Sequence, residues 1–230
     1  MNQSELMWRE RTSDAEVIAS VWTCTVAEET SRTVLADPCT SIIHVQSAHS
    51  SEVILRGPET KPRHEVLLPG YTWTAIRLQP GVRLKHYPVE QLTDRFLILP
   101  SDTDARFQFE GTWLQFPDFT HAELLIEQMR DAGFISGRAL DGQAFPTQGI
   151  SSKSYSRLVK RSTGLSPYKL QQLQRIHEAL HLLKHGMPAT DVAFELGFVD
   201  QAHLSRAAKQ FLGHTPKELL GLPQKPKEDV

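Results

Sequence analysis

The chain has 230 residues, 40% of them apolar and 23% charged, which suits a globular protein with room for two modest domains. No apolar run approaches the roughly 20 residues that cross a bilayer, and the polar, acidic opening does not read as a signal peptide, so a membrane partner is excluded and a cytoplasmic, nucleoid-associated location is expected. The net charge of −2 hides an uneven split: residues 1–148 hold 13 Lys/Arg against 20 Asp/Glu, and residues 149–230 hold 12 against 7. An acidic half followed by a basic half suggests a module that faces an anionic partner.

The first half reads as strands. Residues 17–26 are β-branched and partly alternating, residues 41–46 and 52–56 are short apolar stretches between turn residues, and residues 71–78 lie between Pro69-Gly70 and Pro80-Gly81. Pro88–Leu92 suits one helical turn and Arg106–Glu110 a further strand. Short strands with Pro/Gly punctuation predict a small β-barrel or sandwich. Cys24 and Cys39 have neither metal-ligand nor CxxC spacing and read as reduced thiols. His44, His64 and His86 lack the paired spacing of a metal site, so no metal and no cofactor is expected. Trp73, Arg77, His86 and Tyr87 are the candidates for a small-molecule effector pocket in this domain.

The pattern changes near Pro117. Thr120 is placed to cap a helix to about Gly133, with Glu123 as its capping-box partner. The domain division is therefore set at 1–116 for a β-rich regulatory unit and 117–222 for a helical unit, with a disordered tail at 223–230. Helices are predicted at about 152–162, ended by Gly164, and at 167–185, opened by Ser166-Pro167. Further helices follow from Pro188, from Asp200 to Leu212 with Gly213 as the stop, and from Thr215-Pro216. His177, His181 and His185 recur along the second of these helices and read as a solvated stripe.

One pattern occurs twice at an offset of 49 residues. Ser156-Arg157, Lys160, Gly164, Pro167 and Leu170 return as Ser205-Arg206, Lys209, Gly213, Pro216 and Leu219. Each copy puts Arg and Lys about one turn apart on a helix, followed by a glycine stop and a proline restart. In residues 188–212, Val192, Ala193 and Leu196 form the inner face of a first helix, Gly197 relaxes the turn and Phe198 plugs the core beneath it. Leu204 and Phe211 of the next helix face inward. This is a helix-turn-helix arrangement. Its exposed side carries Gln201, Ala202, Ser205 and Arg206. Arg forks onto guanine O6 and N7, and Gln onto adenine N6 and N7.

Val192-Ala193, Gly197-Phe198, Asp200 through Arg206, Phe211 and Gly213-His214-Thr215-Pro216 resemble the AraC/XylS family of bacterial transcription regulators, over roughly residues 120–221. The resemblance implies an α+β chain in which an N-terminal β domain precedes an all-α domain with two helix-turn-helix units joined by a central helix. It implies DNA contacts at Ser152, Lys153, Ser156, Arg157 and Lys160 in the first unit and at Gln201, Ala202, Ser205, Arg206 and Lys209 in the second, the two lysines at 160 and 209 on phosphates. Promoter DNA and RNA polymerase are the implied partners, with a small-molecule effector and a second copy of the chain as further ones. The first unit departs from the pattern: its leading helix should occupy about 138–146, where Gly142 and Pro146 oppose a helix, so a shorter or less selective unit is expected. A catalytic β-barrel finds no convergent acid, base or metal groups in residues 1–116, and a DNA-repair protein with an alkyl-accepting cysteine finds no activating neighbours for Cys24 or Cys39.

Overall fold

The computed structural model describes residues 6–136 and 151–221. The first stretch holds strands β1 (Leu6–Arg11), β2 (Ile18–Val26), β3 (Thr30–Val34), β4 (Thr40–Gln46), β5 (Ser51–Arg56), β6 (Arg63–Leu67), β7 (Thr72–Leu78) and β8 (Arg83–Leu84). A single turn α1 (Val89–Leu92) leads to β9 (Phe96–Leu99), β10 (Arg106–Phe109), β11 (Thr112–Gln115), helix α2 (Glu123–Asp131) and β12 (Ile135–Ser136). The second stretch is helical: α3 (Ser152–Thr163), α4 (Pro167–Lys184), α5 (Ala189–Glu195), α6 (Gln201–Leu212) and α7 (Pro216–Gly221).

Six antiparallel strands form the main sheet in the order β1-β2-β7-β4-β5-β9. Both faces are buried, because successive side chains of a strand point to opposite sides. Val21, Ile42, Leu55, Ile76 and Leu78 face the β10–β11 hairpin and α2. Trp22, Cys24, Ile43, Val45 and Ala75 form the other face. The β3–β6 ribbon lies over that second face. Arg32 of β3 sits above the stacked rings of Trp8 and Trp22. Glu65 of β6 pairs with Arg32 at 3.0 Å and with Arg56 of β5 at 3.5 Å. The layered arrangement is the sandwich-like β domain that the strand punctuation predicted.

Two expectations are corrected here. The sequence places the helix near 120–133 in the helical half, but Ala122, Leu125, Ile126 and Met129 complete the core of the sheet domain. Ile135 of β12 then pairs with Leu84 of β8, so this core continues past residue 134 rather than ending at 116. Thr120 does not cap α2, and Glu123 closes no capping box. Glu123 instead accepts two hydrogen bonds from Arg11, at 2.7 and 2.8 Å, and one from Ser13 at 2.6 Å. Helix α2 is therefore tied to β1 by a charged clamp.

In the second stretch, α4 touches α3, α5, α6 and α7. Leu173, Ile176 and Leu180 of α4 share a core with Val159, Val192, Phe198, Leu204 and Leu212. That core also takes in Ala36 and Leu35 from the loop after β3. The two halves are thus docked. His177 of α4 donates from Nε2 to the Ala36 carbonyl at 2.8 Å. Beside it, Arg77 of β7 pairs with Asp37 at 2.5 Å and donates to Ser20 at 3.0 Å. The expected solvated histidine stripe is therefore broken at its first member, where His177 is a docking contact.

Candidate nucleic-acid interface

The two basic helices end in the same way. Ser151 caps α3 by accepting from the Ser154 amide, and Asp200 caps α6 by accepting from the His203 amide at 2.5 Å. Such a cap occupies one of the orphan amides of a first turn. At the other ends Gly164 and Gly213 adopt left-handed φ values of 71° and 80°, and each donates to the carbonyl four residues back, of Lys160 and Lys209. A side chain there would be strained. Ser166 caps α4 with Pro167 in its first turn. At α7, Thr215 and Glu218 make the reciprocal box.

This geometry settles which faces are open. Ser152, Lys153, Ser156, Arg157 and Lys160 are exposed on α3. Gln201, Ala202, Arg206 and Lys209 are exposed on α6, with Ser205 half-buried beside them. The opposite faces, Val159 on one helix and Leu204, Ala208 and Phe211 on the other, are buried. In the second unit Val192 and Ala193 are buried on α5, Gly197 turns with φ 68°, and Phe198 fills the space beneath it. His203 accepts from the Val199 amide and lies edge-on to Phe198, so it braces the turn. The leading helix expected for the first unit, at 138–146, lies outside the described residues.

Sequence reasoning missed Arg175. From α4 it donates to the Gly197 carbonyl at 2.7 Å, and its guanidinium lies 3.7 Å from the centroid of the Phe198 ring. A cation held over an aromatic face while bonding a turn carbonyl fixes the angle at which α5 gives way to α6. Nothing in the local pattern around residue 175 signals this, because both partners are more than 20 residues away.

The four expected effector residues do not converge. Trp73 lies against the cluster under the ribbon. Arg77 is engaged by Asp37, Ser20 and, at 3.8 Å, Glu10. Burial opposes the charge on Asp37, but Arg77, then His177 and the Cys39 amide, outweigh it and hold the carboxyl below its ordinary range. His86 and Tyr87 stand elsewhere, in the turn before α1, where with α3 they line a cleft. Both cysteines are buried, and burial pushes each thiol above its ordinary value. That is the reverse of what a nucleophilic cysteine needs. Among the described residues no helix is long and apolar enough to cross a membrane.

A family model described as a helix-turn-helix domain matches residues 147–221. The HTH-type transcriptional activator RhaS of Escherichia fergusonii is 34% identical over 71 residues, 30% of this chain and 26% of that protein. RhaS of Klebsiella pneumoniae is 32% identical over the same coverage. The match therefore spans about a quarter of the length of these curated relatives. Among solved structures, ToxT from Vibrio cholerae overlays 93% of this chain and 98% of its own, with a TM-score of 0.42 at 10% identity. On the capped basic helices, the braced turn between α5 and α6, and the matched segment, the C-terminal part of this chain is a helix-turn-helix domain.

Proposed function

We propose that the protein is a sequence-specific transcription regulator that inserts α3 and α6 into neighbouring major grooves of promoter DNA. The observation that carries this reading is the pair of basic helices, each opened by a side-chain cap and closed by a left-handed glycine, both open on their cationic faces and both packed on one central helix. Helix α4 has 18 residues, about 27 Å at 1.5 Å per residue. Neighbouring major-groove faces on one side of DNA lie about 34 Å apart, and bending of the duplex makes up the difference. Lys153, Ser156 and Arg157 then face bases from the first unit, and Gln201, Ala202, Ser205 and Arg206 from the second. Ser152, Lys160 and Lys209 hold phosphates.

In this reading the DNA contacts belong to residues 151–221, and the sheet domain, with α2 in its core, modulates them. RNA polymerase and a second copy of the chain are its protein partners. The role is regulatory rather than enzymatic, and the place of work is the nucleoid.

Genome-wide mapping of bound DNA supplies the site, and fluorescence anisotropy on that site supplies the test. Arg206→Ala is expected to weaken binding by about 1–3 kcal/mol and relax preference at one base, whereas Lys209→Ala weakens all sequences alike and lowers the salt slope by about one. Wild-type affinity in both Arg157→Ala and Arg206→Ala would overturn the assignment.

A further inference from the structure

The residue that leads into α6 carries the most exposed large apolar side chain among the described residues. Val199 is 87% exposed. It stands one residue before Asp200, the cap of α6. An apolar residue at that position ordinarily folds back onto the fourth helical residue and fixes the entry of the chain. Here that residue is Leu204, which is fully buried in the helical core, and Val199 is no part of that core. The packing that would explain a valine here is therefore absent. Its backbone is nonetheless held. The Val199 amide donates to His203 Nδ1 at 3.3 Å, and Phe198 before it is buried beneath the Arg175 guanidinium.

Val199 directly precedes the stretch of α6 on which Gln201, Ala202 and Arg206 are exposed. In a helix-turn-helix unit the N-terminal end of the second helix reaches the base edges. The major groove offers that end one apolar group, the C5-methyl of thymine. Valine has a restricted first side-chain torsion, so on a pinned backbone it gives up little freedom when it makes a contact. The internal repeat carries the same pattern in its sequence. At the offset of 49 residues, Val199 corresponds to Ile150 and Asp200 to Ser151, again a β-branched apolar residue before a helix cap.

We infer that Val199 is a specificity-determining residue that packs on the methyl group of a thymine, next to the bases that Gln201 and Arg206 read. The inference rests on the DNA reading above and adds to it a base preference that no hydrogen bond supplies. Cytosine and uracil lack the methyl, so the contact selects thymine over both. Its loss returns about one methyl-sized group to water, which is roughly fourfold in affinity.

The test uses the full chain and the mapped promoter duplex, in which each thymine is replaced singly by uracil, a change that removes the methyl group alone. Fluorescence anisotropy reads the affinity. For the wild type, one replacement is expected to weaken binding by roughly fourfold. Val199→Ala should weaken the unmodified duplex by about the same factor, and that one replacement should then cost it less than about twofold. Its unfolding midpoint should stay near wild type, since the side chain is exposed. Val199→Ile should keep the penalty for uracil. Lys209→Ala should bind both duplexes more weakly and keep that penalty in full. A uracil penalty as large in Val199→Ala as in the wild type at every position, or none at any position in the wild type, overturns the role of Val199 and leaves the DNA reading standing. If the wild type binds the mapped duplex no more tightly than a scrambled one, the DNA reading fails and the thymine contact falls with it.

Discussion

Arg175 illustrates how one side chain can set the angle between two helices from a third. Its contacts to the Gly197 carbonyl and the Phe198 ring are made from a neighbouring helix, so Arg175→Leu keeps the α4 packing volume and removes both. The expected cost is about 2 kcal/mol in chemical denaturation, with a loss of promoter affinity that reaches beyond any single base. Glu123 behaves differently. Hydrogen bonds from Arg11 hold its carboxyl down to about 2. A carboxylate with a depressed folded pKa stabilises the fold above its ordinary value near 4.5, and that contribution is lost as pH falls toward 2. The pair is about one-third exposed, so solvent limits its worth. Glu123→Gln should cost about 1 kcal/mol at neutral pH, and denaturation curves of the two proteins should converge on acidification. Neither role was legible in advance. The sequence marks Glu123 as a capping-box residue, and only the return of β1 beside α2 brings Arg11 to it.

Among the elements, the helices were legible and the sheet less so. Each basic helix announces itself by local chemistry: a Ser or Asp cap, a glycine four residues after a lysine, a proline restart. Caps act within one turn, so the sequence contains them whole. Strands β2, β4, β5 and β7 were readable from β-branched runs between turn residues, and β10 from its alternating Phe107 and Phe109. β1, β3 and β6 were not, because charged residues interrupt any alternating apolar pattern, Arg9, Glu10 and Arg11 in β1 and Arg32, Arg63 and Glu65 in the ribbon, where Glu65 neutralises Arg32 across the two strands and Arg63 within its own. The placement of α2 was missed for a related reason, since an amphipathic helix does not say which core its face will join. The glycine stops permit a sharper test. A methyl on Gly213 would stand 2.7 Å from Pro62 Cγ, whereas one on Gly197 would meet nothing within 4 Å. Both positions are left-handed, so Ala at either costs about 1 kcal/mol in strain. Gly213→Ala should cost more than Gly197→Ala in thermal unfolding, and adding Pro62→Ala should remove the excess.

For the whole molecule, the loop between β3 and β4 joins the halves. Leu35 and Ala36 enter the helical core, and Asp37 holds Arg77 on one side while feeling His177 on the other. Asp37→Asn leaves the Arg77 charge without its closest partner, at an expected cost of about 2 kcal/mol for a site a quarter exposed. Limited proteolysis should then cut between the halves faster than in the wild type, and an unchanged cleavage rate would remove this loop from the coupling. The sheet domain meets the helical repeat at matching points: Thr93 lies against Gly164 and Pro62 against Gly213. These are the same position in the two copies. The sheet domain therefore bears on both copies of the repeat at once, and in the proposed reading a change in its seating would reach both DNA-facing helices together.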